Sequence, residues 1–349
     1  MDSKVLINIT EMTLVIIGAL TLIKKAPTFK IKYNDALLFL AFIFIIFVAC
    51  YATNGNYFVG FLKVIMCLCI VCFSYQFSRY SPYLLMVFLV YYSLQNFIIS
   101  GTLNKFSYIP ISFIAFLIYS IHSEGDKVKY ALCIFVCLDL LQSLYTHYRG
   151  QVLFCSLSLI CLLFNFSLKK NLPLVFISFS LGYLAIIYIS GLYFFLYQEQ
   201  ILSATYSNIE RSSMIYWSIN KFYDFIISAP TVSFFQDNAG QYKNLYLMSS
   251  EIPNDPHNFF IMLFIFLGLL PALMIYMFIV KLLRYISLKL SGISSSNADF
   301  ISLALFQVII IFSLHPFNSF SRVFFSLMLG ICFAFGKGKY LKKGEYHGK

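Results

Sequence analysis

Residues 173–197 read PLVFISFSLGYLAIIYISGLYFFLY, a run of 25 residues that contains no charged side chain. About 20 consecutive apolar residues are enough for an α-helix to cross the hydrocarbon core of a bilayer. The strands of an outer-membrane barrel would instead be about 10 residues long and would alternate between apolar and polar residues. The run therefore predicts a membrane-spanning helix.

Comparable runs recur along the chain, which is 60% hydrophobic and 11% charged. A soluble domain could not bury this much apolar surface, so we predict an all-α, polytopic membrane protein that forms one integral membrane domain over residues 1–349. The first run has Asp2 and Glu11 near its start and no small-residue cleavage site, so we expect it to be retained rather than removed as a signal peptide. About eleven spans are predicted, near residues 6–23, 36–52, 57–76, 82–99, 107–121, 128–146, 151–168, 173–197, 258–280, 299–316 and 321–336.

Lysine and arginine residues are distributed unequally between alternate connections of these spans. Seventeen of the 25 lie on one side and seven on the other, while Lys63 falls inside the third span. Positive charge marks the cytoplasmic side of a membrane protein. We therefore predict that the N-terminus and the loop 198–257 lie outside and that the C-terminus lies inside.

The net charge of +11 has the same explanation, because nucleic-acid binding would need basic residues clustered on one soluble face. The nine cysteines lie in or at the edge of apolar runs, which favours buried hydrophobes over metal ligands or disulfides. The cytoplasmic connections contain no Gly-rich nucleotide cradle. We expect no metal, no cofactor and no nucleic-acid partner.

The loop 198–257, between the eighth and ninth spans, is the one long polar segment of the chain and holds six of its fourteen carboxylates. Ser207 and Glu210 have the spacing of a capping box. We predict that an amphipathic helix at the outer membrane surface follows them and that Ala229-Pro230 ends it, because the residue before a proline avoids the α region. Its apolar face would comprise Ile215, Ile219, Phe222 and Ile226.

Two arginines on the sparsely basic outer side, Arg149 and Arg211, have the chemistry to bind a lipid diphosphate. A guanidinium group bonds two phosphate oxygens at once and stays charged. The alternative is that each is a solvated surface charge or pairs with Glu210 or Asp224.

His257 follows Pro256 at the start of the ninth span, where an imidazole could transfer a proton near neutral pH. As an interface residue it would need no function. Asn258 is explained equally well as the N-cap of the ninth span. His315 and Arg322 form a second pair on the outer side, with the same two interpretations.

Lys63, Asp139 and Glu11 are candidate charges within the membrane. Ionisable groups at that depth mark a pathway or a buried pair.

These features, in this order, resemble the O-antigen polymerase and O-antigen ligase superfamily, the Wzy-type and WaaL-type membrane glycosyltransferases. The family pattern is Ser-Arg-Gly at an outer helix end, an Arg before a Trp-containing amphipathic helix that closes with Pro-x-x-Gly-x-Gly, and His-Asn opening a helix that reads Glu-x-Gly-x-x-Gly. The matching positions are Tyr148-Arg149-Gly150, Arg211 with Trp217 and Pro230, and His257-Asn258 with Gly268.

The resemblance covers residues 145–285, and it departs from the pattern at several positions. Tyr148 replaces the Ser, Phe266 stands where Glu is expected, and Pro271 replaces the last Gly. Trp217 follows Arg211 by six residues rather than four, and no Gly-x-Gly follows Pro230.

The resemblance implies a metal-independent, inverting transfer of glycan from an undecaprenyl-diphosphate donor at the periplasmic face of the bacterial inner membrane. Arg149 and Arg211 would bind the diphosphate, and His257 would deprotonate or orient the acceptor hydroxyl. We expect Asn258 to bind substrate, together with His315 and Arg322, which lie outside the resemblance but on the same outer side. A lipid-linked acceptor and a chain-length regulator protein are the implied partners, beside the lipid bilayer.

We expect a polymerase of lipid-linked repeat units. A ligase that transfers glycan to lipid A-core has the same donor chemistry, and the modest basicity of the outer side favours the polymerase, since lipid A-core carries phosphates. A transporter of lipid-linked oligosaccharide is the alternative from another class, although no inverted repeat is visible in the sequence.

Overall fold

The computed structural model describes residues 16, 20, 57–80, 110–122, 126–145, 149–186, 188–189, 214–230, 258–292, 296–314, 326–328 and 330–331. Within them 86% of the chain is helical and there is no strand. The all-α class predicted from the apolar runs is confirmed for this part of the chain.

Helices occupy the predicted spans at 57–76, 107–121, 128–146, 151–168 and 299–316, with ends shifted by a few positions. The spans predicted at 36–52 and 82–99, and most of those at 6–23 and 321–336, lie outside the described residues. The helices are α1 (Tyr57–Tyr80), α2 (Ile111–His122), α3 (Asp126–Tyr145), α4 (Arg149–Leu163), α5 (Leu172–Ile177), α6 (Phe259–Leu267), α7 (Leu269–Ser291) and α8 (Ser296–Leu314).

Among the described residues, two helices are long and apolar enough to cross a membrane: Val128–Tyr145 within α3, and α7. One face of α3 is an exposed apolar stripe, at a spacing of three or four residues that keeps side chains on one side of a helix. An unbroken apolar stripe of this length is suited to contact with lipid chains. The two helices indicate a membrane protein. The stripe comprises Tyr130, Ile134, Leu138, Leu141 and Tyr145.

Residues 258–280 form two helices rather than the single ninth span that the sequence predicts. Gly268, with φ +90°, separates α6 from α7. The ring centroids of Phe260 and Tyr276 lie 5.7 Å apart, whereas 16 residues of continuous helix would separate them by about 24 Å. The chain therefore reverses direction at Gly268, and α6 lies beside the first part of α7.

Gly268 is required at this bend for two reasons. Its φ is in the region that glycine adopts at little cost, and a Cβ at this position would lie 2.7 Å from the carbonyl oxygen of Ser228. The same loop satisfies the first amides of α7, because Leu269 N–H donates to Phe225 O at 3.0 Å and Leu270 N–H donates to Ile226 O at 2.8 Å. Without such acceptors a helix N-terminus leaves its first N–H groups unpaired.

The short helix α6 is enclosed on all sides. Every residue from Phe259 to Ile265 is buried, which agrees with a sequence that is apolar around the whole helix. Phe222 of the loop packs edge-to-face on Phe264, with ring centroids 4.7 Å apart. Phe176 of α5 packs edge-to-face on Phe259, the first residue of α6, with ring centroids 5.7 Å apart.

Asp139 of α3, one of the charges predicted within the membrane, is fully buried. Its carboxylate accepts the backbone N–H groups of Ile111 at 3.0 Å and Ser112 at 2.7 Å. These are the first two residues of α2, where the helix dipole favours a negative charge. Gln307 of α8 extends the cluster by donating to Ser112 Oγ at 2.9 Å. Asp139 thus fixes the N-terminus of α2.

A second polar cluster joins the connection between α4 and α5 to two later helices. Lys169 Nζ lies 2.9 Å from Asp299 Oδ2, and Ser167 Oγ donates to Asp299 Oδ1 at 2.6 Å. Ser287 of α7 donates to the carbonyl oxygen of Lys169. The start of α5, the later part of α7 and the start of α8 are therefore at the same level of the bundle.

Candidate functional site

The structure describes two of the six residues predicted from sequence to form the site. Arg149 is the first residue of α4, where its backbone alone is described. Asn258 is described in full. His257, Arg211, His315 and Arg322 lie outside the described residues.

Asn258 is the N-cap of α6, so the N-cap interpretation of this residue is confirmed. Its backbone is extended, and its Oδ1 accepts the N–H of Ile261 at 3.1 Å. An N-cap side chain in this geometry satisfies one of the amides that the first turn leaves unpaired. The residue is fully buried, so the helix begins inside the bundle rather than at its surface.

The other end of the Asn258 amide is bound as well. Its Nδ2 donates to the main-chain carbonyl oxygen of Ser180 at 2.9 Å. Ser180 lies in a π-helical segment, Ser178–Gly182, that separates α5 from the α-helical residues 183–186. A π turn of this kind is rare and occurs frequently at functional sites.

Tyr276 of α7 completes the cluster. Its hydroxyl lies 2.6 Å from Ser180 Oγ, and Ser180 Oγ in turn lies 2.6 Å from Phe176 O, to which it donates. A serine hydroxyl carries one proton, so the arrangement that satisfies both contacts has Tyr276 donating to Ser180. We call Asn258, Ser180 and Tyr276 the polar trio.

The polar trio lies partway along the bundle. Tyr276 is eight residues after the bend at Gly268 and eleven before Ser287, which correspond to about 12 Å and 16 Å along a helix. Asn258 lies at the level of Tyr276, since both are bonded to Ser180. His257 immediately precedes Asn258 in sequence.

The predicted loop helix is shorter than the sequence pattern indicates. The described part of the loop is helical at 214–220 and continues in turns and bends through 228, whereas the pattern extends to Ala229. Ile215 is buried as predicted, but Ile226 is 49% exposed. Toward the end of this stretch, the carbonyl oxygens of Phe225 and Ile226 accept the first amides of α7 rather than amides of the loop.

Trp217, the aromatic residue of the predicted motif, is buried in the loop helix. Its neighbour Tyr216 stacks on Tyr188, with ring centroids 5.9 Å apart. These contacts hold the loop helix against the end of the segment that begins with α5. Among the described residues, no group of three or more His, Cys, Asp or Glu side chains could hold a metal ion.

Sequence reasoning identified Asn258 but did not identify Ser180 or Tyr276. Both are polar residues within apolar runs, and serine and tyrosine are common there. Two signals point to them only after the fold is known: the π segment that follows α5 and the reversal at Gly268 that brings Tyr276 back to the start of α6.

Three comparisons with known proteins accompany this geometry. No family model matches the chain, and neither the curated proteins nor the solved structures include one that is significantly similar to it.

Proposed function

We propose that this chain is an O-antigen polymerase, a glycosyltransferase that joins undecaprenyl-diphosphate-linked repeat units at the periplasmic face of the bacterial inner membrane. The observation that carries the proposal is the buried amide of Asn258, bound at both ends, at the entrance of a helix and directly after His257. This is the position that the family pattern gives to its His-Asn pair. The buried Trp217 and the structural role of Gly268 support the same pattern.

In this reaction His257 takes the proton of an acceptor hydroxyl, and the oxygen attacks the anomeric carbon of the donor sugar. The bond from that carbon to the diphosphate breaks, and the configuration inverts. Arg149 and Arg211 neutralise the charge that develops on the leaving diphosphate. Asn258, His315 and Arg322 bind the saccharide substrates. The donor bond supplies the energy, so the reaction needs no metal ion and no nucleotide.

The proposal includes the topology derived from charge. About eleven spans place the N-terminus and the loop 198–257 in the periplasm and the C-terminus in the cytoplasm, in keeping with seventeen basic residues on one side and seven on the other. A chain-length regulator protein is the further partner, beside the two lipid-linked substrates.

A transporter is less well supported, although broken helices are common in transporters. In those proteins the free ends of the broken helices bind the substrate. Here the first two amides of α7 are already bound to Phe225 O and Ile226 O. These two amides at the break are thus bonded within the chain and are not available to a substrate.

The test is the lipopolysaccharide of a strain that lacks this gene. A polymerase null mutant produces core with a single repeat unit, and the wild-type gene restores the ladder. Core without any repeat unit would identify a ligase instead, and an accumulation of lipid-linked units on the cytoplasmic side would identify a transporter.

We expect His257→Ala and Arg211→Ala to reduce the ladder to a single repeat unit while the protein remains inserted in the membrane. Loss of general-base catalysis alone lowers the rate by about 100- to 10,000-fold. The control is His347→Ala near the C-terminus, which should leave the ladder intact. A normal ladder from a well-expressed His257→Ala variant would rule out the catalytic role.

A further inference from the structure

We infer that Tyr276 and Ser180 are positioning residues that fix Asn258, the residue next to His257 in sequence, at the start of α6, an inference that rests on the proposed function. Neither residue belongs to the sequence pattern of the site. Both reach it through the fold, Tyr276 because α7 returns beside α6 and Ser180 because a π turn follows α5 at that level.

The first argument is the continuity of the hydrogen bonds. Tyr276 donates to Ser180 Oγ, Ser180 Oγ donates to Phe176 O, and the carbonyl oxygen of Ser180 accepts from Asn258 Nδ2. One residue of the π segment that follows α5 therefore holds both a side chain of α7 and the N-cap of α6. A displacement of any of the three helices changes the position of Asn258.

The second argument is burial. Asn258 and Ser180 are fully buried and Tyr276 is 5% exposed. The ring of Phe176 stacks on Tyr276 at a centroid distance of 5.2 Å, and Phe260 packs edge-to-face on Tyr276 at 5.7 Å. In an apolar environment of this kind an unmade hydrogen bond is costly, so a satisfied polar network has one preferred geometry.

The third argument is the number of anchors on Asn258. Its Oδ1 is held by Ile261 N–H and its Nδ2 by the Ser180 carbonyl oxygen. A side chain bound at both ends of its amide cannot rotate without losing a bond. The residue that follows His257 in sequence is therefore fixed by two hydrogen bonds, and a catalytic group needs fixed neighbours of this kind.

The test compares Tyr276→Phe with wild-type protein in lipid nanodiscs, with a lipid-linked repeat unit as substrate. Phenylalanine keeps the ring stacked on Phe176 and removes only the hydroxyl. We expect kcat to fall about 10- to 100-fold, since small displacements of reacting groups have effects of that size, while the KM for donor stays near the wild-type value. A purely structural role would lower the unfolding temperature without changing kcat per folded molecule.

The matched control is Tyr285→Phe on the same helix. Tyr285 lies beside Lys289, whose Nζ is 4.2 Å from its ring centroid, and phenylalanine preserves that contact. We expect its kcat to equal that of wild type. The double variant Ser180→Ala/Tyr276→Phe should be no slower than the slower single variant, because residues that act through one hydrogen-bond chain are not additive.

A second readout does not depend on activity. We expect diethyl pyrocarbonate to modify His257 about fivefold faster in Tyr276→Phe, the factor that corresponds to one hydrogen bond of about 1 kcal/mol. Peptide mass spectrometry measures this rate. An unchanged kcat together with an unchanged modification rate overturns the inference. A wild-type protein without transferase activity overturns the proposed function, and the modification rate then decides on the inference alone.

Discussion

At the scale of single residues, a chemical argument identified Asn258 as an N-cap and Asp139 as a buried charge, but it could not identify their partners. An N-cap is recognisable because the amide it satisfies is only three residues away. The partners of Asp139 are the backbone amides of Ile111 and Ser112, some 27 residues earlier in the chain. Almost every residue has a backbone N–H, so the sequence does not show which of them a buried carboxylate will bind. Such a pairing becomes visible only with the fold.

We predict that Asp139→Ala destabilises the protein by about 3 kcal/mol or more, since it leaves two buried amides of α2 without their charged acceptor. Asp139→Asn should be intermediate, because its carbonyl oxygen can still accept one bond. Thermal unfolding in detergent measures both variants. Asp224→Ala is the control: Asp224 forms an exposed pair with Lys221, so its removal should change stability by less than about 1 kcal/mol. Equal melting of Asp139→Ala and Asp224→Ala would contradict the prediction.

At the scale of helices, apolar runs predicted where the helices lie but not the direction in which the chain travels. The run 258–280 has the length of a span, and glycine is frequent in membrane helices, so Gly268 gave no reason to place a break there. What determines the reversal is the loop at 225–228, which supplies the carbonyl groups for α7 and occupies the space beside Gly268. Residues distant in sequence therefore decide the geometry of this run.

We predict that Gly268→Ala destabilises the hairpin of α6 and α7 by about 2 kcal/mol or more, from the strained φ and the collision with Ser228 O. Urea or thermal unfolding of the purified protein measures the change. Gly292→Ala serves as the control, because its φ is −72° and the nearest atom to an added Cβ lies at 3.6 Å. The interpretation of the bend fails if Gly268→Ala is as stable as Gly292→Ala.

At the scale of the whole molecule, the described residues form one helical bundle with a lipid-compatible outer surface and an apolar interior interrupted by small polar clusters. The all-α class followed from composition and from the length of the apolar runs. In lipid, a chain of this kind has few other ways to hydrogen-bond its backbone N–H and C=O groups. The number of spans and the orientation rest on the distribution of charge along the chain. Both depend on predicted spans and connections that lie partly outside the described residues.

We predict that a cysteine at position 224 reacts with a membrane-impermeant maleimide added outside intact spheroplasts, whereas a cysteine at position 170 reacts only after permeabilisation. Both native side chains, Asp224 and Lys170, are exposed on the protein. The result follows from the excess of basic residues on the cytoplasmic side. Labelling at position 170 before permeabilisation would invert the proposed topology.

The brevity of α6 has a consequence for how the protein is made. Its nine residues extend about 13 Å, far less than the roughly 30 Å of the hydrocarbon core. A segment of that length does not partition into the bilayer as an independent helix during synthesis. We therefore expect α6 to enter the bundle only after α5 and α7 have been inserted beside it, so that the residues around Asn258 are among the last parts of the protein to mature.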